Sequence, residues 1–428
     1  PMIEVLTPEA ATRYEVSIRW IGGATAGPRP VTMAALDRPF RMDFAPATVQ
    51  ELFDPQNALK SAVARDQTLT GVVNGLPGWH TVFVRVRQDD LTWWMPVDFE
   101  VRLPLQVVPS ANQDAQTVRF RVLNNTPVTI ERWATLDVGG RTTTVTLKVP
   151  ALGESGEIVF PSAGLLPGTV RVRVDFAEDG TATGEVMNWR IPAPEDTSWR
   201  TVDLSQSYND SVTQIFKNEY LAPRSPFVSL QMPKQGLGTW DTFSRTFAVD
   251  DSGLRRAAAA PGGLALAGGV RFELPTGEGA KNAAFTSLWD RYPHELSLQV
   301  PGRARHAYLL MTGTTNPMQT RIDNAEVIVS YWDGTSDRLL LRNPANWAPI
   351  ERDYFTDDYA FQVSGPRPLR VELGTGKIYV PDAASRPAGG AATVLDLPLD
   401  PSKQIFALTV RPLSNDVVIG LLGLTVAR

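Results

Sequence analysis

At 428 residues the chain has room for two to four domains and for a large core without cross-links. It has no cysteine, which excludes thiolate nucleophiles, cysteine-held metals and disulfides, and its three histidines (His80, His294 and His306) would all have to meet from distant segments to form a three-histidine metal site. A net charge of −5, from 41 basic and 46 acidic residues, gives no electrostatic case for nucleic acid, and no apolar run approaches the ~18 residues that span a bilayer.

The 33 glycines and 34 prolines predict many turns between short strands. Apolar residues alternate with period 2 almost throughout. YEVSIRW (14–20), TVFVRVR (81–87), WWMPVDFEVRL (93–103), TVRFRVL (117–123), TTTVTLKV (142–149) and TVRVRVDF (169–176) read as strands. A helix is predicted over 49–60, interrupted by Pro55, and a short one over 210–218, capped by Asp210 or Ser211. LPLQVVPSANQD (103–114) passes from one β pattern to another, and IPAPEDTS (191–198) reads as a linker.

Beyond it the strands continue: FVSLQM (227–232), VRFELP (270–275), ELSLQV (295–300), HAYLLMTG (306–313), EVIVSYW (326–332), RLLLR (338–342), PLRVEL (368–373), QIFALTVRP (404–412) and VVIGLLGLTV (417–426). The Ala/Gly/Pro stretches 255–269 and 382–393 read as mobile surface loops. The fold class is therefore all-β: two immunoglobulin-like sandwiches, 1–104 and 105–194, then a larger jelly roll, 195–428. The opening Pro1-Met2 predicts a processed product or a piece of a longer chain.

The densest polar and aromatic cluster is NPANWAPIERDYFTDDYAF (343–361). Carboxylates accept hydrogen bonds from sugar hydroxyls, and flat rings stack on the apolar faces of pyranoses. Trp347 and Tyr354 are candidate stacking residues here, and Glu351, Asp353 and Asp358 are the candidate catalytic carboxylates, since a pair at ~5–10 Å can hydrolyse a glycoside. A structural loop, with acids closing turns and aromatics plugging the sandwich, is the competing reading. YWDGTSD (331–337) predicts a tight Asp-Gly hairpin, with Trp332 available to a sugar if it points outward. Trp240 and Asp241, in the irregular 217–243 segment, and His306 complete the candidate carbohydrate contacts. His80 and His294 read as structural and surface residues. No metal site and no cofactor is expected, although Asp323 and Glu326 with backbone carbonyls are a conceivable calcium site. GxSxG, GxGxxG and GxxxxGK[ST] are all absent, which leaves nucleophilic triads and nucleotide binding without support.

The segments WRTVDLSQSYNDSVTQIFKNEYLAPRSPFVSLQMPKQGLGTW (199–240), YLLMTGTTNPMQTRIDNAEVIVSYWDGTSDRLLLRNPANWAPIERDYF (308–355) and GGAATVLDLPLDPSKQIFALTVRPLSNDVVIGLLGLTVAR (389–428) resemble large secreted bacterial glycoside-hydrolase-like proteins of polysaccharide-degradation loci, often labelled domains of unknown function. Those proteins carry a helical (α/α)6 toroid ahead of β-sandwiches. The resemblance is strongest over 199–428. It implies a galactose-binding-like jelly roll, a periplasmic or extracellular location, and a polysaccharide or oligosaccharide ligand. It also implies a helical (α/α)6 catalytic domain or subunit as partner, because no toroid is present in this chain. Ala348 stands where the related pattern often has a second aromatic. Three readings follow: an accessory recognition protein, a self-contained glycosidase or lyase using the 323–358 carboxylates, or an adhesive protein that binds other proteins through strand edges.

Overall fold

Alternation over residues 81–103 sends Val82, Val84, Val86, Val97, Phe99 and Val101 to one side, and all six are buried. In the computed structural model, which describes residues 32–37, 39–54, 57–75, 78–216, 248–288, 292–315, 322–353, 356–357, 361–362, 367–381, 385–414 and 417–428, they line the first core. The described chain is all-β: one α-helix, Ser252–Ala258, and three short 3-10 turns interrupt the strands. Among the described residues no helix is long and apolar enough to cross a membrane. The contacts group residues 1–108, 120–158 and 172–184 into one unit, and 109–119, 159–171 and 185–428 into a second.

In the first unit, strands Thr32–Ala35, Leu91–Arg102, Gly78–Gln88 and Thr48–Phe53 form one sheet, and Pro39–Asp43, Thr68–Val73 and Leu59–Arg65 a second. Both contribute to one core, where Phe40 meets Phe99 at 4.9 Å between ring centroids. The helix expected over 49–60 is instead two strands, Thr48–Phe53 and Leu59–Arg65. Asp54 explains the break: its carboxylate accepts the backbone N–H groups of Ala58 and Leu59, both at 2.9 Å, and closes a loop where a helix would have to continue. Further along, strand Ile130–Val138 pairs with Arg141–Val149 over nine residues, and its last four pair with Thr135↔Asp175 through Val138↔Val172. Phe120, Val122, Leu136, Val172, Val174 and Phe176 are buried there.

The second unit is built on a seven-stranded sheet, all of whose pairings are antiparallel. Its order is Trp199–Thr201, Val418–Ala427, His306–Thr314, Ala391–Pro398, Arg370–Glu372 and Ile378–Tyr379, with Ala284–Ser287 also on Val418–Ala427. All nine residues of His306–Thr314 and all ten of Val418–Ala427 are buried. That is why these segments read as continuous apolar runs rather than alternations. One face packs through Leu309, Met311, Leu395 and Ile419 onto a four-stranded sheet: Leu296–Leu298, Ile405–Pro412, Ala325–Tyr331 and Ser336–Leu341. The other face packs through Tyr308, Leu310, Val394 and Leu422 onto Leu254 of the helix, Leu264, Leu266 and Phe272.

Two expected surface loops are therefore corrected. Residues 255–269 contribute part of the helix and bury Leu264 and Leu266. Arg255 fixes the helix by donating to Asp251 Oδ2 (2.9 Å) and to the carbonyl of Ala280 (2.8 Å). Residues 391–393 open the strand Ala391–Pro398. The expected helix over 210–218 is a single 3-10 turn, Val212–Gln214, whose first N–H is taken by Asn282 Oδ1 at 2.9 Å. Nor is 191–198 a bare linker, since Ile191 is fully buried and Ala193 N–H donates to Gly268 O at 3.1 Å. The expected strands at 14–20 and 227–232 lie outside the described residues.

Leu309 faces the core between the two sheets. Leu309→Ala is expected to lower unfolding free energy by about 2–5 kcal/mol. Trp332→Ala, on the surface, should change it by roughly 0.5 kcal/mol or less. Equilibrium denaturation of both variants checks the inside–outside assignment.

Candidate functional site

Two of the three carboxylates expected to be catalytic, Glu351 and Asp353, are buried. Asp353 is fully buried, with Arg370 Nε 3.1 Å from its Oδ1. Ser385 Oγ donates to Oδ2 at 2.7 Å and Tyr379 OH at 3.1 Å. Arg370, also fully buried, donates to the carbonyls of Ala348 (2.7 Å) and Pro349 (2.9 Å) and to Thr393 Oγ1 (3.1 Å). This closed ion pair pins the 348–353 segment to the sheet, and water has no side from which to reach the acid. Burial pushes the Tyr379 hydroxyl up to about 12. Glu351 is buried too, with Thr314 Oγ1 at 3.4 Å from Oε2. Trp347 is 2% exposed and its Nε1 donates to Asn324 Oδ1 at 3.2 Å, so both ring faces belong to the core rather than to a sugar. Tyr354, Asp358, Trp240 and Asp241 lie outside the described residues.

His306 is likewise internal. Its Nε2 lies 2.7 Å from Asp396 Oδ2, and its ring stacks on Tyr308 at 4.7 Å. Asp396 also accepts the N–H of Thr169 (2.6 Å) and its Oγ1 (3.0 Å), while Tyr308 OH donates to Pro167 O at 2.8 Å. Gly168, at φ +102°, approaches so closely that a Cβ there would lie 2.6 Å from the Asp396 carboxylate. The cluster ties residues 167–169 to the seven-stranded sheet. The nearby Glu185 carboxyl is raised above its ordinary value, chiefly by desolvation.

The acids considered for calcium face guanidinium groups. Asp323 pairs with Arg342, and Glu326 with both Arg338 and Arg411. Among the described residues no group of three or more His, Asp or Glu is placed to hold a metal ion.

Among the described candidates, Trp332 stands outward, at 66% exposure. It opens the turn between Ala325–Tyr331 and Ser336–Leu341, where Tyr331 N–H donates to Thr335 O (2.9 Å) and Gly334 takes φ +82°. This is the Asp-Gly hairpin the sequence announces. Its ring meets Phe406 edge-on, at 4.9 Å and 79°, and Phe406 is itself 51% exposed. Phe406 escaped the sequence reading because it sits inside the apolar run IFAL (405–408), which shows no alternation. The ladder shows the signal: Tyr331 pairs with Ile405 and Ser330 with Ala407, so Phe406 is the extra residue of a bulge.

Polar groups border this corner. Asp333 Oδ1 accepts Thr335 Oγ1 at 2.6 Å, which with the Thr335 N–H holds its carboxyl below the ordinary value. Lys403 Nζ lies 3.3 Å from Asp333 Oδ2, donates to Thr335 Oγ1 at 2.7 Å and sits 5.5 Å from the centre of the Tyr331 ring. Two adjacent exposed rings flanked by hydroxyl, carboxylate and ammonium groups supply both an apolar stacking surface and hydrogen-bonding partners. Trp133, on the first unit, is also exposed, but no second ring joins it among the described residues.

No protein-family model matches the chain, and no curated protein matches it. Solved structures with some likeness include SGBP-B of the Bacteroides ovatus mixed-linkage glucan utilization locus, in complex with mixed-linkage heptasaccharide. It is 10% identical, with a TM-score of 0.19, over 89% of this chain and 72% of that one. A tandem of titin Ig domains is 12% identical, with a TM-score of 0.15, over 38% and 93%. Escherichia coli alpha-2-macroglobulin is 11% identical, with a TM-score of 0.18, over 87% and 22%. At TM-scores of this size the superpositions define no shared fold.

Two outcomes are expected from the buried acid cluster. Asp353→Asn leaves a buried guanidinium without its counter-ion and should cost about 3–5 kcal/mol in denaturant unfolding; a catalytic role alone would leave stability unchanged. In an alkaline absorbance titration, Tyr379 should keep its proton to about pH 12. The unfolded chain loses that proton near 10. The stability Tyr379 contributes is therefore whole below pH 10 and falls between 10 and 12, and ionisation of all nine tyrosines with one midpoint near 10 would contradict it.

Proposed function

We propose that the chain is a carbohydrate-recognising accessory protein of polysaccharide degradation, taking an oligosaccharide at the Trp332–Phe406 corner. The carrying observation is the pair of rings itself. Aromatic side chains are normally the large buried members of a fold, and here two stand side by side in water on a rigid sheet end. The polar groups of Asp333, Thr335 and Lys403 beside them suit sugar hydroxyls. The sequence resemblance over 199–428 supports the same context, with a periplasmic or extracellular location and a separate helical (α/α)6 catalytic domain or subunit as partner. The division into two immunoglobulin-like sandwiches and a jelly roll belongs to this proposal.

The reading as a self-contained glycosidase or lyase is weaker, because Asp353 is spent on Arg370 and Glu351 is enclosed. The adhesive reading is favoured by no particular contact.

Screening the purified chain against plant, algal and bacterial polysaccharides, with binding and reducing ends read together, tests the proposal. Binding without release is expected. Trp332→Ala and Phe406→Ala should each weaken binding roughly thirty-fold, about 2 kcal/mol, with the fold intact. Released sugar would make the chain the enzyme instead.

A further inference from the structure

The outer face of the four-stranded sheet continues from the aromatic corner. Residues paired across antiparallel strands share a face, and alternate residues lie on it. From Phe406 the outward positions run through Ser330, opposite Ala407, and Thr409, opposite Ile328. They end at Glu326, opposite Arg411, with Arg338 paired to Ile328 on the neighbouring strand. Phe406 to Arg411 spans roughly 17 Å of strand, the reach of a short oligosaccharide.

The far end is unlike the near one. Glu326 is 1% exposed and lies beneath two arginines that are each about half exposed. Arg338 approaches Glu326 Oε2 through Nε at 3.1 Å, and Arg411 donates to Oε1 through its own Nε. Both guanidiniums are held to Glu326 through Nε and stand about half exposed above it. One buried negative charge under two guanidiniums leaves one positive charge in excess, on half-exposed planar groups with five N–H donors each.

We infer that this face binds an acidic oligosaccharide, one ring of which stacks at Trp332–Phe406 while a uronate carboxylate further along is held by Arg411 and Arg338. The inference rests on the carbohydrate reading above and adds the charge of the ligand. Carboxylate is the matching group because the guanidinium edge presents two parallel donors in one plane, which a planar carboxylate accepts bidentately. Ser330 and Thr409 hydroxyls lie between the two ends, where sugar hydroxyls would pass. Glu326 sets the arginines in place from below and keeps them from folding away into solvent.

Calorimetric titration of the full chain with tetragalacturonic acid and tetramannuronic acid, each beside its fully methyl-esterified form, tests this. At least one acid should bind about ten-fold more tightly than its ester, with an affinity that falls as salt rises. Arg411→Gln should erase that difference by weakening the acid alone, while Arg338 still neutralises Glu326 and preserves the fold. Should that variant not fold, Arg338→Gln serves in its place. Acid and ester bound equally, with both dependent on Trp332, would overturn the inference and leave the carbohydrate reading standing. A sulfated neutral-backbone tetrasaccharide bound in preference to either acid would overturn the carboxylate assignment. Binding of none of these, nor of any neutral polysaccharide, would sink both.

Discussion

A sheet covered on both faces has no outward side on which to place a site, and that constraint governs the second unit. The strands His306–Thr314 and Val418–Ala427 are buried residue by residue. Charged groups that point from them, or from the segments packed against them, find their partners inside the protein. His306 meets Asp396, Thr314 lies near Glu351, and Arg370 meets Asp353. Exposed aromatic groups such as Trp332 and Phe406 stand instead at the end of the four-stranded sheet that covers one face.

The strands were legible because alternation is a local property. TVFVRVR, TVRVRVDF and EVIVSYW each carry their own inside–outside phase, and each stands as a strand in the fold. What lies over a given face is not local. Trp347 and Trp332 sit in similar company, a tryptophan among polar residues beside a turn, yet one is core and the other two-thirds exposed. The difference is that Trp347 falls beneath the edge of the second sheet, near Asn324, which no short-range pattern reports. The helix expected over 49–60 failed for a related reason: pairing with Gly78–Gln88 outweighed the local helical spacing. The Ala/Gly stretch 255–269 misled in the other direction, since its two leucines, Leu264 and Leu266, pack onto a sheet whose central strands come from much later in the chain.

The buried polar groups also show how a sandwich this size keeps its long connections in place. Asp396 accepts from Thr169 and lies against His306, joining it to segments 227 and 90 residues away. Arg370 donates to two carbonyls and a hydroxyl and forms an ion pair with a carboxylate. Pairs of this kind add less to stability than their Coulomb attraction suggests, because both partners give up water. Their effect is selective: a misplaced 348–353 or 167–169 segment would strand a charge in the core.

The bulge on Ile405–Pro412 has an evolutionary meaning. Ile405 and Ala407 keep to the faces of their partners Tyr331 and Ser330, so the ladder is complete without the residue between them. Phe406 is thus carried on a position the sheet does not need. Losing it by a single-codon deletion would close the ladder and keep every other side chain on its present face, whereas an insertion at a regular position would invert half the strand. One ring of the aromatic corner can therefore be gained, exchanged or lost within a lineage while the scaffold beneath it stays the same.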